Sequence, residues 1–235
     1  MNSPILICSA AKHYSIPKGV SLLGFGDDQV HTIQVDKESR MNITSLRAKL
    51  QSCVDNKVPV LVVAGIVGTT EESVVDDLIA IKKAKDDFAK QGLYFHFHID
   101  GAYGGYFCSM LRNRGETLWW DSISDHVKNQ LSSFHNADSI TFDPHKTGYV
   151  PYACGGIIYR NHRLRDNLSF SAPYIYTGAE PNMAIYGIEG SKPGSAVTSV
   201  YLSLAVLPLT RAGHGELLER TMMNTKIFCS SLYQL

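Results

Sequence analysis

One feature limits the chain more than any other. Short apolar, β-rich runs alternate with stretches whose apolar residues fall at helical spacing. Residues 5–9 read as a strand, and residues 15–23 as a short helix that tolerates Pro17 in its first turn. Residues 31–35 are a second strand. Asn42 can cap a helix carrying Ile43, Leu46, Leu50 and Cys53 on one face. The unbroken apolar run 60–64 is expected of a strand buried on both faces. Val74, Leu78, Ile81 and Phe88 mark the next helix, which Gly92 ends. Strands over 95–100, 139–143 and 153–159 and a helix over 122–134 continue the pattern. From Ser195 the periodicity is helical (Val197, Val200, Leu204, Leu207) until Pro208 kinks or breaks it. Such alternation predicts an α/β fold with a mainly parallel sheet flanked by helices.

Composition narrows the partners. The chain has 235 residues, with 22 Lys+Arg against 22 Asp+Glu. A nucleic-acid partner needs a basic surplus or stripe, so none is expected. No apolar run approaches the roughly 18 residues of a membrane span. The residues before the run 4–8 lack a basic n-region, so no signal peptide is read and the cytoplasm is the expected compartment. Five Cys (Cys8, Cys53, Cys108, Cys154, Cys229) at wide spacing, with no CxxC, predict mostly buried free thiols.

In parallel sheets ligands gather at the carboxyl ends of the strands, so the strand exits carry the functional reading. In Phe95-His96-Phe97-His98-Ile99-Asp100-Gly101-Ala102-Tyr103-Gly104-Gly105, strand alternation puts His96, His98 and Asp100 on one face. Three readings stand together: a metal chelate, a carboxylate aimed at a cationic ring nitrogen, or a strand that ends in a polar turn. In Ser139-Ile140-Thr141-Phe142-Asp143-Pro144-His145-Lys146, a Lys just past a buried-type strand is poorly hydrated. It can serve as a free amine nucleophile, or it is a surface loop Lys. His13 after the first strand can stack on a planar ligand or be an ordinary loop His. Thr69 and Thr70 can bind a ligand, and Thr70 or Ser73 can instead cap the following helix. Gly24-Phe25-Gly26 lacks the third Gly of a dinucleotide fingerprint, and neither GxxxxGK[ST] nor GxSxG occurs.

Each site is weak by itself. In this order, a stacking His, a Thr-bearing turn, a strand-end Asp and a Lys after a further strand make up a pyridoxal phosphate site. The chain resembles the group II pyridoxal-phosphate-dependent amino acid decarboxylases. The resemblance rests on His13-Tyr14-Ser15 with Lys18, on Gly68-Thr69-Thr70, on the stretch from His98 to Gly105, and on Asp143-Pro144-His145-Lys146. Residues 139–159 and 187–194 look most like the bacterial tyrosine decarboxylase branch.

The resemblance implies the large domain of pyridoxal-phosphate fold type I, and decarboxylation of an aromatic, tyrosine-like L-amino acid by a homodimer. It implies that Lys146 holds the cofactor covalently, that Asp100 pairs with the pyridine nitrogen, and that His13 stacks on one ring face with Ala102 on the other. His145, Thr69 and Ser139 are implied neighbours of the cofactor, and Tyr174, with Tyr176 as substitute, is the implied loop proton donor. Two departures accompany it. Gly101 stands where the family usually has Ala, and the small-residue phosphate turn expected upstream of His13 is missing. The chain therefore reads as an incomplete domain. Residues 1–205 are expected to form part of the cofactor-binding domain, and residues 206–235 the start of a connecting helix to an absent small domain. The other readings are a same-fold decarboxylase or lyase acting on glutamate or another amino acid, a metal hydrolase built on His96 and His98, and a truncated product without catalysis.

Overall fold

The computed structural model describes residues 2–112, 122–170 and 185–234. Among these, six strands form one sheet in the order β2-β1-β3-β4-β5-β6. They are β1 (Ile5–Ser9), β2 (Val30–Ile33), β3 (Val60–Ile66), β4 (His96–Asp100), β5 (Ser139–Phe142) and β6 (Gly156–Tyr159). All neighbours are parallel except β6, which runs antiparallel to β5. The crossovers hold α1 (Ser15–Leu22), α2 (Ile43–Asp55), α3 (Leu78–Ala89) and α4 (Asp125–Ser132). α5 (Arg163–Asn167), α6 (Gly194–Val206) and α7 (Glu216–Leu232) follow the sheet. This is the α/β, mainly parallel architecture that the alternation predicts.

The core lies on one face of the sheet. Ile5 and Ile7 of β1, Val63 of β3 and Phe97 and Ile99 of β4 pack with Leu46, Leu50 and Cys53 of α2 and with Leu78, Ile81, Ala84 and Phe88 of α3. The apolar positions on both helices are three or four apart, which makes one stripe facing the strands. Side-chain caps set where the helices start. Asn42 Oδ1 accepts from the Ser45 N–H at 2.9 Å, Asp77 Oδ1 from the Ala80 N–H at 2.9 Å, and Ser124 Oγ from the Val127 N–H at 3.3 Å.

Several boundaries differ from the sequence reading. α3 begins at Leu78, because Val75 bridges back to Val67 in a hairpin and Asp77 is the cap. Neither Thr70 nor Ser73 caps it. α4 starts after Ser124 rather than at Ser122. β6 begins at Gly156, not at Ala153, and β2 ends at Ile33, with Val35 in an isolated bridge to Met41. β3 is not buried throughout, since Leu61 is 44% exposed. Pro208 does break the helix: α6 and the helical segment that follows it stand at 89°. After Val206 the chain thus makes a turn, a short helical segment (Arg211–Gly215) and α7 rather than one continuous helix. Cys8, Cys53 and Cys154 are buried free thiols, whereas Cys229 is exposed.

Candidate active site

The exits of β1, β3, β4 and β5 open into one cavity of about 640 Å³. His13 reaches it from the β1 exit, Thr69 from β3, Asp100 and Ala102 from β4, and His145 and Lys146 from β5. Its floor is the sheet face turned away from the core, where Leu6, Val62, Ala64, Ile66, His98 and Thr141 project. Parallel register makes this convergence possible. Ile66, Asp100 and Thr141 lie side by side across three strands, so their following turns start at one level.

Asp100 is fixed by its own turn. Its Oδ1 accepts from the Ala102 N–H at 3.2 Å and from the Thr141 hydroxyl at 3.4 Å. Oδ2 has no hydrogen bond among the described residues, so one oxygen is anchored and the other can take a donor. Gly101 passes close to the next strand: a Cβ there would lie 2.9 Å from the Thr141 carbonyl oxygen, a contact that real side chains avoid. The Gly at this position therefore matches the tightness of this turn.

Lys146 sits in the turn after β5, closed by its N–H to the Asp143 carbonyl at 3.0 Å. Its Nζ lies 3.0 Å from Asp143 Oδ2, and its side chain is 32% exposed. The ammonium is therefore neither isolated nor dry, unlike the desolvated lysine that the sequence suggests. Asp143 also lies 3.6 Å from His145 Nε2, while His145 Nδ1 bonds the Cys154 carbonyl. The Cys154 N–H also lies 3.4 Å from Nδ1, so this nitrogen faces both the carbonyl and the N–H of Cys154. The His145 ring is 4.1 Å from that of Tyr152, which also lines the cavity. His13 is held by Ser15, with Nδ1 2.8 Å from its hydroxyl, and lies 4.3 Å from the Tyr14 ring.

Two expected ligand contacts take other roles. The Thr69 hydroxyl accepts from the Val74 N–H at 3.0 Å and donates to Glu72 at 3.3 Å, so it closes its own hairpin while lining the cavity. Ser139 is not a wall of the cavity. Its Oγ lies 2.7 Å from both His96 Nε2 and His98 Nδ1 and supports these rings from beneath. Burial lowers the pKa of both histidines, which favours their neutral forms. Among the described residues, no group of three His, Cys, Asp or Glu side chains converges to hold a metal ion. Tyr174 and Tyr176 lie outside the described residues.

Sequence reasoning assigned no role to three residues that the structure brings to the site. Asp143 anchors Lys146, and a carboxylate three residues before a turn lysine was the available signal. Thr141 orients Asp100, a contact readable only from the β4–β5 register. Tyr152 arrives with the return of the chain toward β6 and has no local signature.

Residues 1–228 match the pyridoxal-dependent decarboxylase conserved domain. The chain is 35% identical to the L-tyrosine decarboxylase of Enterococcus faecium over 244 aligned residues, covering 95% of this chain and 40% of that protein. It is 34% identical to the L-tyrosine decarboxylase of Enterococcus faecalis, again over 95% of this chain and 40% of the relative. The chain thus spans about two fifths of the length of these relatives. The crystal structure of mouse CSAD superposes with a TM-score of 0.80 at 20% identity, over 100% of this chain and 46% of that one, which establishes the shared fold. The family match spans nearly the whole length, so the chain belongs to the pyridoxal-dependent decarboxylase family.

Proposed function

We propose that the chain forms the cofactor-binding part of an enzyme that decarboxylates an aromatic, tyrosine-like L-amino acid with bound pyridoxal phosphate, releasing the amine and carbon dioxide. The carrying observation is that Asp100 and Lys146, from adjacent strands, face one cavity. The residues present fit the cofactor. A carboxylate with one unpartnered oxygen suits a protonated ring nitrogen, a lysine amine suits an aldehyde, and the cavity volume is that of a small-molecule site. When bound, the cofactor supplies an electron sink for the pair left by the departing carboxylate.

The rest is the work of the chain. Asp100 would hold a proton on the ring nitrogen of the bound cofactor, and Thr141 and the Ala102 N–H keep its carboxylate aimed. Asp143 holds the Lys146 ammonium in place and balances its positive charge. His13 is the stacking wall on the substrate side, and Ala102 is small enough to leave room for a flat ring. His145, Thr69 and Ser139 support the cofactor's surroundings, Ser139 through His98. Tyr174 or His13 returns a proton to the substrate carbon. Residues 1–205 belong to the large domain, and residues 206–235 begin the connection to a small domain. The reading includes a cytoplasmic homodimer whose partner is a small amino acid, and the zero net charge offers no basic surplus for nucleic acid.

The test is borohydride reduction after adding pyridoxal phosphate, with peptide mapping. The expected result is a reduced adduct on Lys146 that Lys146→Ala abolishes. An adduct on another lysine overturns the assignment. Carbon dioxide release from L-tyrosine against L-glutamate and L-aspartate, measured on an active protein containing this chain, tests the substrate. Release from either acidic amino acid at the expense of tyrosine overturns the aromatic reading.

A further inference from the structure

Beyond the cavity, one buried side chain reaches the lysine turn from behind. His214 is 0% exposed and lies between Pro208 and α7, far along the chain from the sheet. Its Nε2 is 2.7 Å from the carbonyl oxygen of Thr147, the residue that follows Lys146. The carbonyl can only accept, so Nε2 is the protonated donor. Nδ1 is buried with no hydrogen-bond partner among the described residues. A ring kept only to fill space would be better served by a hydrocarbon, because an orphaned buried nitrogen is costly. Among the described residues, the Nε2 contact is the one polar interaction that the ring makes.

The surroundings are built for close insertion. Gly213 and Gly215 flank His214. A Cβ at Gly213 would lie 2.3 Å from the Pro208 carbonyl oxygen, and one at Gly215 would lie 2.9 Å from the Ser109 carbonyl oxygen. Only glycine lets the backbone pass there, and the ring then enters beside Tyr106 at 5.0 Å and Tyr149 at 5.9 Å between ring centres. Thr147 continues the tie. Its hydroxyl donates to the Tyr103 carbonyl at 2.6 Å, in the turn that follows Asp100. His214, Thr147 and Tyr103 thus join the post-Pro208 segment, the Lys146 turn and the Asp100 turn.

We propose that His214 is a positioning residue that sets the Lys146 turn against the Asp100 turn through its hydrogen bond to the Thr147 carbonyl. This inference rests on the reading of Lys146 as the cofactor lysine. It is tested on the full chain with pyridoxal phosphate, through His214→Phe, which keeps a ring and removes the donor, and His214→Gln, which keeps a donor. Cofactor affinity and the rate of borohydride-trappable adduct formation at Lys146 are the readouts, with thermal melting measured in parallel. Phe is expected to weaken cofactor binding about tenfold, the loss of one hydrogen bond to a buried acceptor, while melting stays close to wild type because the orphaned nitrogen is removed too. Gln is expected to restore affinity to within about threefold. Nitrogen-15 imidazole shifts are expected to show Nε2 protonated. Wild-type affinity in His214→Phe, or equal loss in both variants, overturns the positioning role while leaving Lys146 as assigned. A wild-type chain with its adduct elsewhere than Lys146 overturns the functional reading and this inference with it. A Phe variant that does not fold leaves the Gln variant and the tautomer to decide: affinity within about threefold of wild type with Nε2 protonated supports the role, and any other combination refutes it.

Discussion

The two faces of the sheet are made from the same strands and do opposite work. On the helix-covered face Ile7, Val63, Phe97 and Ile99 are all 0% exposed. On the other face the neighbouring residues Leu6, Val62, His98, Asp100 and Thr141 line the cavity. β4 shows the contrast within five residues, with Phe97 and Ile99 one way and His96, His98 and Asp100 the other. The period of two in a strand makes this separation possible, because adjacent residues have no shared surroundings. One face can then be optimised for packing while the other carries polar groups that packing alone would reject.

The contrast can be broken by substitutions on either face. The largest effect is expected at Asp100. In an active protein containing this chain, Asp100→Ala should lower turnover by about 100-fold or more, since it removes the strand-end carboxylate whose unpartnered oxygen is free to take a donor in the cavity, with little change in melting. A loss of fold comparable to the loss of activity would erase the distinction between the faces. Next comes Phe97→Ala, expected to cost about 3–5 kcal/mol in a denaturant titration as a large core side chain leaves a cavity. A cost below about 1 kcal/mol would mean that the helix-covered face is not the stabilising one.

Asp76 sharpens the comparison, because it is a charge on the packed side. It is 1% exposed and accepts the N–H groups of Met41 at 2.7 Å and Ile66 at 2.9 Å. Burial pushes its carboxyl up to about 6; the two N–H bonds oppose this, and Asp36 and Asp77 add to it. The folded pKa lies above the unfolded one, so the folded state binds the proton more tightly. The associated stability is present at low pH and is lost as pH rises from about 4 through about 6. The wild-type chain should therefore gain stability over Asp76→Asn when pH falls from 7 to 5, by about 1 kcal/mol. Urea titrations at pH 5, 6 and 7 check the sign, and parallel curves would refute it. The smallest effect is expected for Ser139→Ala, about 1 kcal/mol of stability, because the two histidine rings lose a shared buried partner. Its effect on turnover should be well below that of Asp100→Ala, and an equal effect would move Ser139 into direct contact with the chemistry.

Much of the cavity was legible from residue order, since each strand exit carried a residue type suited to one task. Asp100, Lys146, His13, Ala102, His145 and Thr69 all line the same space. What escaped were contacts between segments. Ser139 looks like a cavity residue in a list of strand-end side chains, but the β4–β5 register turns it beneath His98. Asp143 stands in the quoted motif, and only the turn geometry makes it the partner of Lys146. The helix expected from Val74 loses its first turn to a bridge with Val67, a pairing that no local periodicity encodes.

The sequence by itself determined the alternation of strands and helices, the strand exits that share one cavity and the family to which the chain belongs. These follow from local periodicity and from short runs of reactive residues, and both are properties of neighbours along the chain. The tertiary structure alone decided which oxygen of Asp100 is held, that Lys146 is paired rather than dry, and that His214 reaches the turn beside it from 67 residues away. Those are distances between segments brought together by burying one face of the sheet, and a linear pattern carries no measure of them.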